Sequence, residues 1–211
     1  MNETNGRRRR GAATRERILE AAVALAREDG WPGVTMRKIA DRIDYSHPAL
    51  YAYFATKDDL LLALLREGLA LFAADLDAAA HAAPSSDEAV LALTAALWDF
   101  PWRHPELYQV MHGLGGVAFA TADTRAEGRA AVSPAVAVVG PLLARHGRDP
   151  GEAERLCTLL WCTVHGLVTL TMAGRFSREE GAALAAQAGR DALAAWTGRP
   201  PVDGHDKAAT V

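Results

Sequence analysis

Val34-Thr35-Met36-Arg37-Lys38-Ile39-Ala40-Asp41-Arg42-Ile43-Asp44-Tyr45-Ser46-His47-Pro48-Ala49-Leu50-Tyr51-Ala52-Tyr53-Phe54 is the stretch whose reading decides the fold. Thr35 is placed to cap a short helix, Met36 to about Ile43, whose Ile39, Ala40 and Ile43 point inward. Asp44-Tyr45 forms a tight corner. Ser46 then caps a second helix, about His47 to Phe54, with Pro48 in the first turn, where its missing N–H does no harm. Leu50 and Phe54 are the buried positions of that helix. Upstream, Ile18, Ala21, Ala22, Leu25 and Ala26 fall on one face of a helix that starts at Thr14. Gly30 stops it, and Trp31-Pro32-Gly33 makes a turn. Two short helices joined by a corner, with a third packed behind, form a helix-turn-helix arrangement.

The same reading extends along the chain. Thr56 caps a long helix, Lys57 to about Ala80, with Leu60, Leu61, Leu64, Leu65 and Leu71 available for its inner side. Pro84-Ser85-Ser86 breaks it, and helix resumes from Asp87 to Phe100. Pro101 and Pro105 frame a short connection into Glu106–His112, and Gly113–Gly116 is a flexible stretch. Another helix starts near Thr124, and Pro134 either kinks it or begins a new one near Ser133. Helices from Pro150 to about Met172 and from Ser177 to about Trp196 follow. The expectation is an all-α chain of about nine helices without strands or repeats. It divides into a flexible basic arm (1–12), a helix-turn-helix domain (13–58), a helical effector-binding and dimerisation domain (59–198) and a disordered tail (199–211).

Composition agrees with that class. Half of the 211 residues are hydrophobic, enough for a sizeable core, and abundant alanine favours helix. No apolar run is read as a membrane span and no signal sequence opens the chain, while Cys157 and Cys162 lack a CxxC partner. The expectation is a reduced, cytoplasmic protein with no membrane association. Net charge is −3, but it is unevenly spread. Residues 1–57 carry 11 Lys/Arg against 7 Asp/Glu, and the remainder 12 against 19. A basic front on an acidic body is the asymmetry expected when one end alone faces phosphates, and such asymmetry between halves also arises by chance.

The major groove admits one helix and displays a distinct donor and acceptor pattern for each base pair. Ser46, His47, Ala49 and Tyr51 lie on the outer side of the candidate reading helix. His47 is suited to a base edge and Ala49 to a thymine methyl. Tyr51, Tyr53 and Thr35 offer hydroxyls to phosphates, and Arg37 and Lys57 supply charge. The alternative reading makes Tyr51, Tyr53 and Phe54 core aromatics. Arg7–Arg10 is either a solvated tail or a minor-groove arm.

Thr14-Arg15-Glu16-Arg17-Ile18-Leu19-Glu20-Ala21-Ala22, Gly30-Trp31, Val34–Ala40, Leu50-Tyr51-Ala52-Tyr53-Phe54 and Thr56-Lys57-Asp58-Asp59-Leu60-Leu61 together resemble the DNA-binding domain of the TetR family. The resemblance implies that Thr35, Arg37, Tyr51, Tyr53 and Lys57 match phosphate-contacting positions, and that His47 and Ala49 match positions facing bases. Two departures stand out. Asp44 occupies a corner where the family usually has Gly, and His47-Pro48 replaces the usual pair after the capping serine.

A reader of this size works as a dimer on two half-sites of a double-stranded operator. Leu156, Leu159, Leu160, Val164, Leu167 and Leu170 offer one apolar surface, and Leu184, Ala188, Ala192, Leu193 and Trp196 another. These residues serve core, homodimer interface, or both, and the resemblance implies a four-helix bundle with the symmetry mate. Trp98, Trp102, Tyr108, Met111, His112, Phe119, Trp161 and His165 are candidates for lining a cavity for a small apolar or aromatic effector, although aromatics at helical spacing also fill ordinary cores. Trp161-Cys162-Thr163-Val164-His165-Gly166 resembles a Trp-x-x-x-His-Gly signature of one class of TetR-family C-terminal domains. The expected function is a DNA-binding repressor released by that effector. A regulator that is constitutive or controlled by another protein is the alternative, and activation instead of repression stays open. No enzymatic motif, cofactor site or metal site is expected: His146, Glu152 and Glu154 make a weak ligand set.

Overall fold

The computed structural model describes residues 3–117 and 124–199, and all regular elements among them are helical. The order is α1 (Glu3–Asp29), α2 (Met36–Arg42), α3 (His47–Tyr51), α4 (Lys57–Ala82), α5 (Ser86–Arg103), α6 (Pro105–His112), α7 (Arg125–Ala131), α8 (Ser133–Arg145), α9 (Ala153–Met172) and α10 (Arg178–Thr197). Short 3-10 turns cover Trp31–Gly33 and Pro150–Glu152.

Among the described residues there are ten α-helices where nine were expected, because Pro134 starts a new helix instead of kinking an old one. Ser133 and Pro134 are its first two residues, with Val132 in the capping position. The basic segment is also corrected. The helix begins at Glu3, so Arg7–Arg10 ride on α1 and not in a flexible arm. Arg and Ala propagate a helix at little cost once it is nucleated, and Thr14 returns its hydroxyl to the carbonyl of Arg10 within it. At the other end, α5 runs through Pro101 to Arg103, where the connection was expected to begin. Burial of Trp98, Phe100 and Pro101 on this last stretch offsets the missing N–H. Residues 118–123 and 200–211, which include Phe119 and most of the expected tail, lie outside the described residues.

Two compact units result. Of the described residues, the first comprises 3–70, 104–117 and 124–127, the second 71–103 and 128–199. This grouping differs from a division at 58/59, because α6 joins the helix-turn-helix. Glu106, nearly buried at the start of α6, accepts two N–H groups of Arg27 at 3.0 and 3.2 Å, and its backbone carbonyl accepts the indole N–H of Trp31 at 3.2 Å. Gly68 allows α6 to approach α4: a Cβ there would sit 2.6 Å from the sulfur of Met111. Ile18, Trp31, Ile39, Leu50, Phe54, Leu60, Leu64 and Val110 fill the core of this unit.

In the second unit α10 lies on α5 along a stripe of small residues, Gly181, Ala185 and Gly189, spaced four apart and all buried. A Cβ on Gly189 would meet the Thr94 hydroxyl at 2.7 Å, and one on Gly181 would run into the ring of Trp98. Phe72 and Phe100 pack edge to face at 5.1 Å. Ser177 and Glu180 form a reciprocal capping box that starts α10.

Replacing Gly189 with Leu overpacks the α5–α10 contact and should cost about 1–3 kcal/mol, measured as a lower thermal midpoint.

Candidate nucleic-acid interface

The corner between α2 and α3 has a defined backbone chemistry. Asp44 is the only non-glycine among the described residues with positive φ, at 57°. The N–H of Tyr45 donates to the carbonyl of Ala40 at 3.0 Å, and the N–H of Asp44 to the carbonyl of Asp41 at 3.5 Å. This is the Schellman arrangement, with Asp44 in the position usually held by glycine. Two contacts fix the corner to α1. The Tyr45 hydroxyl lies 3.3 Å from that of Thr14, and the Arg17 guanidinium donates to the carbonyl of Ile43 at 3.2 Å.

Thr35 caps α2, its hydroxyl oxygen accepting the N–H of Lys38 at 3.2 Å. The hydroxyl proton remains available as a donor. Arg37 is highly exposed and only loosely paired with Asp41 at 3.9 Å, a surface pair of little energetic weight. Its basic neighbours are committed. Lys38 binds Asp29 at 2.7 Å and Arg42 binds Glu28 in a two-pronged pair. These hydrogen bonds hold both carboxyls below their usual range. Such pairs orient α2 against the end of α1 and leave Arg37 as its outward cation. Arg15 lies over the ring of Phe54, 4.8 Å from its centre, while Arg8, Arg9 and Arg10 are exposed.

α3 has only five residues and ends at Tyr51, short of the expected Phe54. Phe54 is still buried, and the N–H groups of Tyr53 and Phe54 both close onto the carbonyl of Leu50. Ser46 has capping backbone angles, yet its side chain makes no capping bond. Pro48 in the first turn fixes the local backbone instead. Ser46, His47 and Tyr51 are exposed, and Ala49 is half-buried. The rings of His47 and Tyr51 meet edge to face, 5.1 Å apart and inclined at 75°. Tyr53 packs partly against the core.

Lys57 is placed differently from its expected outward position. Its ammonium donates to the carbonyls of Trp31 (3.1 Å) and Val34 (2.8 Å), and partial burial pushes its pKa down. The first residue of α4 thus holds the turn that leads into α2.

The expected effector residues separate between the units. Tyr108, Met111 and His112 belong to the first. There Tyr108 is buried with its pKa raised by burial, and its ring meets that of His112 edge to face at 4.4 Å. Trp98, Trp102, Trp161 and His165 belong to the second. Trp98 and Trp102 lie 5.5 Å apart, Arg178 stands over the Trp102 ring, and Trp161 stacks on His165 at 5.3 Å. Burial lowers the pKa of His165, favouring the neutral imidazole. Trp102 Nε1 and Thr171 Oγ1 are buried without hydrogen-bond partners.

An apolar cavity of about 20 Å³ in the second unit is lined by Leu76, Val90, Leu97, Val139, Cys157, Trp161 and others. Only Trp161 among its walls came from the expected set. The aliphatic walls carry no sequence signal that separates them from ordinary core. Burial raises the Cys157 thiol to about 11. A larger hollow of about 320 Å³ lies in the first unit among Trp31, Pro32, Lys57, Asp58, Leu61, Gly116 and Val117. Glu152, considered above beside His146, is taken up by Arg148 and Arg155.

Comparison with known proteins bears on this geometry. Residues 18–64 match the bacterial regulatory proteins of the tetR family, and residues 90–193 match the tetracyclin repressor-like C-terminal domain. An uncharacterised HTH-type transcriptional regulator of Mycobacterium tuberculosis is 28% identical over 76% of this chain and 71% of its own. The HTH-type transcriptional repressor KstR of Mycolicibacterium smegmatis is 33% identical over 54% of each chain. Among solved structures, a protein of unknown function from Rhodococcus sp. RHA1 superposes with a TM-score of 0.72 at 27% identity, covering 88% of this chain and 94% of that one. FadR from Bacillus subtilis, solved in complex with stearoyl-CoA, shares the fold at a TM-score of 0.62 and 17% identity, over 84% and 97% of the two chains. With a helix-turn-helix at its front and both parts of the chain matched, the protein belongs to the TetR family of DNA-binding transcriptional regulators.

Proposed function

We propose that the protein is a homodimeric, cytoplasmic repressor that binds a palindromic operator and is released by a small, largely apolar effector. The observation that carries the DNA-reading part is α3. It presents Ser46, His47 and Tyr51 to solvent immediately after a corner pinned to α1. Thr35 and Arg37 supply phosphate contacts at the start of α2. Tyr53 and Lys57, being turned inward, contribute more to the shape of the head than to its surface.

Dimerisation is supported by α9. The helix and the turn before it, Pro150–Met172, form an apolar segment long enough to span a membrane, more than the sequence reading allowed, yet only 28% of its most apolar window is buried within the chain. Leu159 is 54% and Leu170 44% exposed, and Leu184 on α10 is 43% exposed. A second copy covering this face removes several large side chains from water at once. Two reading heads then address half-sites about 34–36 Å apart.

Release requires an effector with unequal affinity for two conformations. Lys57 links the start of α4 to the turn before α2, so displacement of α4 would move the head. The apolar cavity beside Trp161 suits an apolar group. The orphaned polar atoms of Trp102 and Thr171 and the cation of Arg178 lie outside its lining and suit an acceptor group of their own. Thr171 is ten residues beyond Trp161 along α9, or about 15 Å. FadR of Bacillus subtilis, bound to stearoyl-CoA, offers a precedent for such chemistry on this fold. The small volume, about 20 Å³, favours the second reading, a regulator without a small-molecule effector. Drug-sized ligands occupy several hundred Å³, so the first reading needs side chains to part.

Selection of bound duplexes from a random pool should enrich a palindrome with two half-sites; a single unrepeated site or no enrichment would contradict dimeric reading. Leu159→Glu combined with Leu170→Glu should give a monomer by sedimentation and weaken binding to that palindrome by roughly 100-fold or more.

A further inference from the structure

We propose that Tyr51 acts as a positioning residue for His47, so that discrimination at one base pair of each half-site is a property of the two rings together. This rests on the DNA-reading function of α3 proposed above. The resemblance to the family assigns this tyrosine to a phosphate, a contact that fixes register without reading sequence. The geometry points to a second role.

His47 and Tyr51 are four residues apart, one turn along α3, and their rings meet edge to face at 5.1 Å. Both are exposed, Tyr51 by 44%, so the contact is made on the surface and not imposed by the core. α3 is only five residues long, which leaves few side chains able to reach a base edge. Ala49 is half-buried, and Pro48 offers no hydrogen-bonding side chain. Within the five residues of α3, His47 and Tyr51 are therefore the exposed side chains able to reach a base edge, with Ser46 just before them.

An exposed imidazole samples several rotamers, and choosing one on binding costs affinity for the correct base. The phenol ring restricts that choice before DNA arrives. The backbone beneath is fixed too, by Pro48 and by the left-handed corner at Asp44. An imidazole nitrogen can present an N–H donor. Its donor is suited to the N7 and O6 acceptors of a guanine in the major groove, provided the ring is held in one orientation.

The two roles of Tyr51 separate by experiment. The selected palindrome and a panel of single-base-pair variants would be titrated at low salt, where backbone contacts keep every variant bound. The proteins would be the full chain, His47→Ala, Tyr51→Phe, Tyr51→Ala and the double variant His47→Ala/Tyr51→Ala. In the full chain the base pair read by His47 should be discriminated by about tenfold or more. Tyr51→Phe keeps the ring and should keep that ratio, whatever happens to overall affinity. Tyr51→Ala should reduce it to about twofold at the same base pair, and the double variant should lose no more than either single one.

A uniform loss across the panel in Tyr51→Ala, with the His47-dependent base pair still discriminated, would overturn the proposal. So would a His47→Ala variant that discriminates every position as the full chain does. Failure of the full chain to select any duplex would instead count against the DNA-reading function itself. Because Tyr51 is exposed, unchanged thermal midpoints should accompany all four variants.

Discussion

Asp44 holds a φ of 57°, and the geometry of the reading head depends on this one backbone conformation. An L-residue pays for the left-handed region, Asp and Asn less than most. In return the chain reverses within two residues, the last carbonyls of α2 find N–H partners, and α3 emerges with His47 and Tyr51 outward. The cost is met nearby. Tyr45, next in the chain, reaches the hydroxyl of Thr14, and Arg17 takes the carbonyl of Ile43. The corner is thus held by α1 on one side and by its own hydrogen bonds on the other. A residue of another shape at position 44 would alter the angle at which α3 leaves α2 before altering any side-chain contact.

Charge acts in a more selective way than the sequence totals suggest. Much of the positive charge in the first unit is paired, although the Arg27 and Lys38 side chains stay well exposed: Arg27 to Glu106, Lys38 to Asp29, Arg42 to Glu28, Lys57 to two carbonyls. Arg37 on α2, the run Arg8–Arg10 and Arg15 on α1, and Arg125 on α7 also face outward. Because that run lies on a helix, its side chains spread around the helix axis instead of following a groove as an extended arm does. The paired side chains hold α2 and α6 in place.

Local chemistry was legible in the sequence. The Thr35 cap, the Asp44 corner, Pro48 in the first turn of α3 and the start of α10 at Ser177 all follow from residue types a few positions apart. Long-range chemistry was not. Arg27 and Glu106 are 79 residues apart, so nothing local places α6 with the helix-turn-helix. Lys57 reads as an outward cation until the carbonyls of Trp31 and Val34 are brought beneath it. Residue size marks the effector candidates but cannot tell which large side chains share a cavity. They consequently divide between the two units. The extent of α1 was missed because charged residues without apolar periodicity look like coil, although Arg and Glu cost a helix little.

The central claim is that α2 and α3 form the surface that meets DNA. Amide hydrogen exchange with and without a selected duplex tests it most directly. Slowed exchange concentrated between Thr35 and Phe54, with the helices of the second unit little changed, is the expected result. Unchanged exchange across that stretch, with protection arising on α9 or α10 instead, would contradict it.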